Sequence, residues 1–155
     1  MEITIKKRKD KKNIISYKRM SGDDCWLEAD DFLVMHDLSH FAIEKALGYK
    51  TAFWGMIKDG IHPSAFENKQ ERDKLLISNE AWHTEYLANL FLIELTQGKF
   101  ENINEILAEC IKERSAFLDI PELSKDQIEN IRNGLEQLVR DFKNLSQNDF
   151  IKLEF

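Results

Sequence analysis

The chain predicts an α+β fold: a small antiparallel sheet, made from an N-terminal hairpin and a C-terminal strand, packed on four to five helices. Three observations predict it. Both ends alternate apolar and polar residues with the period of a strand, through Ile3 and Ile5 at one end and Ile151, Leu153 and Phe155 at the other. Between them the apolar residues recur at helical spacing. The chain has 155 residues, 43% hydrophobic and 32% charged, which is enough for one core and ordinary for a single globular domain, so residues 1–155 are read as one domain.

The hairpin comes first. Its strands are Glu2 to Lys7 and Asn13 to Arg19, and its tip is Arg8-Lys9-Asp10-Lys11-Lys12. That charged run reads as a solvated turn that discourages edge-to-edge pairing. Ser21-Gly22-Asp23-Asp24 is a turn, and Cys25 to Ala29 is a candidate third short strand.

A helix then runs to about Leu47, with Gly48 as its C′ residue. Asp30 and Asp31 are candidate caps, but a start near Met35 or His36 fits the pattern as well. In the second case His36 lies in the first turn, where the helix dipole favours neutral imidazole. This helix is apolar nearly all round, so it is expected at the centre of the fold, with Lys45 as the exception.

Thr51 to Gly60 reads as a short helix whose Gly55 implies a close backbone approach. Glu67 to Lys74 is highly charged and expected to be exposed. Asn79 to Gln97 is a strong helix capped by Ser78 and closed by Gly98. Asn102 to about Ala116 is a third long helix, with Cys110 read as a small core residue on its apolar stripe. Ser124-Lys125-Asp126-Gln127 is a capping box opening the last helix.

The chemistry concentrates in His36-Asp37-Leu38-Ser39-His40-Phe41-Ala42-Ile43-Glu44. A helix turns about 100° per residue, so from His36 at zero His40 lies at about 40° and Glu44 at about 80°. All three project on one side over two turns. Two imidazoles at i and i+4 are how one helix offers two nitrogens to one ion. Asp37 flanks the same side. It is a candidate general base acting on metal-bound water, or a group that orients a ligand. Glu44 is one candidate for a third ligand. Glu85, on the next long helix, is the other, and Glu80 and His83 are alternatives beside it. Imidazole suits zinc, so the expected cofactor is zinc or another divalent metal, and the reaction class, if catalytic, is hydrolysis. The same residues also fit a buried polar network in a non-enzymatic interaction protein.

Other classes are disfavoured. A net charge of −6 and a pI near 5.3 argue against general nucleic-acid binding. Cys25 and Cys110 form no C-x-x-C pair, and a reducing cytoplasm is the simplest compartment. No apolar run approaches a membrane span, and Met1 to Ile5 is not a signal peptide. The expected partner is a small molecule or a protein of unassigned identity.

The block from His36 to Glu44, with Leu47-Gly48 and Phe53-Trp54-Gly55, resembles an uncharacterised bacterial family bearing an HDxxHFxxE signature. Its HDxxH core is similar to the zinc-binding motif of the ubiquinone-biosynthesis organiser proteins. That resemblance implies a zinc site and a role at lipid head groups. The motif of those proteins continues with a glutamate twelve residues after the second histidine, and here that position is Ala52. The resemblance therefore covers the two imidazoles and the acid between them.

Overall fold

The alternating segments form one four-stranded antiparallel sheet, seen in a computed structural model that describes residues 1–9, 11–112 and 121–155. Its strands are β1 (Glu2–Lys6), β2 (Asn13–Lys18), β3 (Asp24–Ala29) and β4 (Phe150–Glu154), in the order β3-β2-β1-β4. The candidate third strand is thus a full member of the sheet, in register with β2 through Ile15↔Leu27 and Tyr17↔Cys25. The tip of the predicted hairpin at Asp10 lies outside the described residues.

The period of two separates the faces. Ile3, Ile5 and Ile15 are fully buried and Tyr17 nearly so, whereas Glu2, Thr4 and Ser16 alternate with them toward the opposite face. Each buried isoleucine contributes roughly 1.5–3 kcal/mol. The chain ends meet in this sheet: Ile3 pairs with Leu153 and Ile5 with Ile151, and the Phe155 N–H donates to the Met1 carbonyl at 2.9 Å.

Seven helices are present among the described residues: α1 (Asp31–Leu47), α2 (Phe53–Lys58), α3 (Ser64–Glu67), α4 (Lys69–Arg72), α5 (Asn79–Gln97), α6 (Ile103–Lys112) and α7 (Lys125–Asn144). α3 and α4 are single turns and account for the excess over the expected four to five. α4 lies in the charged segment, where the Asn68 side chain accepts from the N–H groups of Gln70 and Glu71, and α3 just precedes it. The third long helix is described to Lys112, and the predicted 113–116 lie outside the described residues. Cys110 is half-buried beside the stripe of Ile103, Leu107 and Ile111, not within it.

α1 is the central helix. It packs on α5, α7, α2 and the inner face of the sheet, which is why it is apolar nearly all round. Asp30 caps it by accepting from the Leu33 N–H at 2.9 Å, and Gly48 ends it in the left-handed region at φ 70°. The start at Asp31 corrects the alternative start near His36. His36 is in the second turn, beyond the reach of the N-terminal dipole, and Lys45 reaches solvent.

Two features fix α1 against its neighbours. The Trp54 indole N–H donates to the Asp37 carbonyl at 3.0 Å, tying α2 to α1. Gly55 lets α2 approach the loop after α1: a Cβ there would meet the Lys50 carbonyl oxygen at 1.9 Å. On the far side Arg132 of α7 grips Glu94 of α5 through two bonds of 2.8 and 2.6 Å, a bidentate pair largely removed from solvent. No described helix is long and apolar enough to cross a membrane.

Candidate metal centre

α1 and α5 pack side by side, and their contact carries the polar cluster. α1 presents His36 and His40 one turn apart, with ring centroids 4.6 Å apart. α5 presents Glu85 across from them. Its Oε1 lies 3.6 Å from His36 Nε2, and its Oε2 lies 3.3 Å from His40 Nε2. These three residues each offer one ligand atom, and the atoms lie within 4.8 Å of one another. Ligand atoms on a tetrahedral zinc, each about 2.0–2.1 Å from the ion, stand roughly 3.3 Å apart. The spacing of the carboxylate oxygens from the two nitrogens is close to that value.

The other edge of each ring faces an acid from α1 itself. Asp37 Oδ1 is 3.9 Å from His36 Nδ1, and Glu44 Oε1 is 3.8 Å from His40 Nδ1. Both acids are buried. Each imidazole therefore lies between two carboxylates, one from its own helix and Glu85 from the next.

His40 is 4% exposed, and neither of its ring nitrogens has a hydrogen-bond partner among the described residues. Buried polar atoms are usually hydrogen-bonded, so two open nitrogens on one buried ring need a cause. The charge balance points the same way. Asp37, Glu44 and Glu85 form ion pairs only with these histidines among the described residues, with no lysine or arginine beside them.

That charge sets the protonation of the rings. At His36 burial pulls the imidazole down, and the Asp37 and Glu85 carboxylates more than reverse it, raising it to about 9. His40 is raised as well: burial opposes charging most, Glu44 and Glu85 outweigh it, and the His36 charge partly opposes them. The two imidazoles in turn hold the Glu85 carboxyl well below the usual carboxylate range. The carboxylates thus favour the charged form of both rings.

The aromatic surroundings were not legible in the sequence. Phe32, His36, His40, Phe53 and Phe66 form a row of rings with successive centroids 6.4, 4.6, 5.3 and 5.1 Å apart. Phe32 at i−4 from His36 was the one local signal for it. Phe53 flanks His40 on the α2 side, while Phe32 is 60% exposed at the open end of the row.

The remaining candidates have other partners. Glu80 Oε2 accepts from the Lys50 N–H, the Thr51 N–H and the Thr51 hydroxyl at 2.9, 2.6 and 2.7 Å, clasping the loop after α1. His83 is buried on another face of α5, its Nδ1 3.5 Å from the Tyr49 hydroxyl. Glu44 is 1% exposed and its two oxygens accept from the backbone N–H groups of Trp54 and Gly55 at 3.1–3.2 Å. Among the described residues, the three-residue group that could hold an ion is His36, His40 and Glu85. No protein family, curated protein or solved structure matches the chain.

Proposed function

We propose that the protein binds a divalent, zinc-like ion through His36 Nε2, His40 Nε2 and the Glu85 carboxylate. The observation that carries this reading is His40, a buried ring between the Glu44 and Glu85 carboxylates whose two nitrogens have no hydrogen-bond partner among the described residues. Neutral imidazoles there leave three negative charges for a dication to balance. The side chains of His36 and Glu85 remain 21% and 48% exposed, so an ion held there would be open to solvent on one side. Three protein ligands and an open position are the arrangement of catalytic rather than structural zinc. A bound ion would supply a water acidified to about pKa 7, which supports hydrolysis as the reaction class. The likeness to the ubiquinone-biosynthesis organiser motif then extends to the two imidazoles, with Glu85 in place of the acid missing at Ala52. A reducing, cytoplasmic setting fits the free thiols of Cys25 and Cys110.

The experiment is elemental analysis of protein purified without a histidine tag. Wild type carries about one equivalent of zinc after refolding with excess zinc and desalting, and His36→Ala and His40→Ala each carry none. Wild type that carries none overturns the metal reading.

A second reading rests on the raised imidazoles. Two histidine cations bridged by Glu85 would tie α1 to α5 as a buried polar network in a non-enzymatic interaction protein. In that case zinc leaves the melting temperature unchanged.

A further inference from the structure

The row of rings opens to solvent at one end. His40 is buried, His36 is half-buried and Phe32 is 60% exposed. Exposure thus rises along α1 from the inner histidine to the outer one and on to Phe32. Phe53 and Phe66 close the other end. Leu33, three residues before His36, is also exposed. The open side of the cluster is bounded by Glu85 on α5 and by this apolar rim on α1.

An exposed phenylalanine is ordinary by itself. Two observations set Phe32 apart. Trp26, Trp82 and Phe150 are exposed as well, but among the described residues Phe32 is the exposed ring paired with a candidate ligand. Its centroid lies 6.4 Å from that of His36, with 30° between the planes. It is also the end of a row whose successive rings stand 4.6–6.4 Å apart, within the 4.5–7 Å that aromatic pairs prefer. His36, His40 and Phe53 each have a ring on both sides in the row. Phe32 has His36 on one side and solvent on the other.

We propose that Phe32 determines specificity at this site, by stacking on an aromatic ring that the substrate carries directly on its reacting acyl group. The substrate class is an ester or amide of an arylcarboxylic acid. The proposal rests on the metal reading and takes hydrolysis from it. Water adds across the acyl bond: its hydroxyl goes to the acyl carbon and its proton to the leaving oxygen or nitrogen. The aromatic ring takes no part in that exchange. Its contact with Phe32 holds the acyl group in place, and binding energy from a non-reacting part of a substrate is what orients the reacting part.

The probes are acetohydroxamate, hexanohydroxamate and benzohydroxamate, which share one zinc-binding group and differ in what it carries. Their dissociation constants are measured by calorimetry on zinc-loaded wild type, Phe32→Ala, Phe32→Leu and Phe32→Tyr. Intrinsic differences between the chelators cancel when their ratios are compared across proteins. The preference for benzohydroxamate over acetohydroxamate should fall at least about threefold in Phe32→Ala and Phe32→Leu, and Phe32→Tyr should keep it. Trp26→Ala removes a comparably exposed ring from the opposite face of the sheet and should leave the ratio unchanged. Zinc content is read on every variant, so lost metal is not mistaken for a lost ring contact. A preference that survives in Phe32→Leu overturns the proposal. So does a hexanohydroxamate preference that depends on Phe32 as strongly as that for benzohydroxamate. Wild type that takes up no zinc overturns the metal reading and this proposal with it. Zinc-loaded wild type whose preference is independent of Phe32 overturns this proposal alone.

Discussion

Glu85 Oε2 lies 3.3 Å from His40 Nε2, and this contact joins α5 to the most deeply buried ring of the cluster. His40 has its other acid on its own helix, so Glu85 alone brings a carboxylate from across the helix pair. Glu85→Gln replaces a charged ligand by a neutral amide of the same shape. Zinc affinity, read by competition with a chromophoric chelator, should fall at least about tenfold. Glu80→Gln removes only the clasp on Lys50 and Thr51 and should leave zinc affinity unchanged. Equal affinities for the Glu85 and Glu80 variants would remove Glu85 from the ligand set.

The cluster should make stability depend on pH in opposite senses with and without an ion. In the metal-free protein His36 is raised from 6.5 to about 9. Its contribution is complete below pH 6.5 and is lost as pH rises through 9. Glu85 is lowered from 4.5, so its contribution is present above pH 4.5 and lost on acidification. The metal-free protein should therefore lose stability between pH 6.5 and 9. Zinc must displace the imidazole protons, so its stabilisation grows over the same interval. Urea midpoints with zinc and with a chelator, at pH 6 and pH 9, check this. Parallel changes in the two sets would argue for a polar network without metal.

Asp37 faces His36 Nδ1, the ring edge turned away from Glu85. Asp37→Asn is thus expected to weaken zinc binding by about tenfold through the ring it supports. Any hydrolytic activity should fall in proportion to metal occupancy. Activity per bound zinc is the discriminating number: a large drop in it, with occupancy intact, would make Asp37 the general base.

Deleting Phe150 to Phe155 should destabilise the protein by about 2–4 kcal/mol, from three half-buried apolar side chains at roughly half of 1.5–3 kcal/mol each. Ile151, Leu153 and Phe155 are those side chains. The deletion also leaves β1 with an open edge, so light scattering should report association. A monodisperse truncated protein with an unchanged melting temperature would contradict the pairing.

The fold was legible where local chemistry decides it. Ser78 and Ser124 cap α5 and α7, Gly48 ends α1, and the alternating ends pair, each from signals within a few residues. The close approach at Gly55 was readable as a need for space, but its partner, the Lys50 carbonyl, was not. The site was half legible. His36 and His40 share a face by the arithmetic of one helix. Choosing Glu85 over Glu44 required knowing that α2 folds back to occupy Glu44, which is a tertiary fact. The start of α1 shows the same limit. Asp30 and Met35 both fit the pattern, and the choice changes whether the dipole or the carboxylates govern His36.

The pairing of β1 with β4 also sets the order of events during synthesis. Residues 2–6 leave the ribosome before the other strands of the sheet, and their partners at 150–154 follow about 150 residues later. At roughly 5–20 residues per second this leaves β1 without its second neighbour for about 7–30 seconds. The β1–β2–β3 meander can form in that time, because its contacts are local. It does so with Ile3 and Ile5 in a strand whose outer edge is still unpaired. Folding of the sheet is thus completed by its last strand, and a slow translation step before residue 150 would lengthen the interval in which a nascent chain can be captured by another.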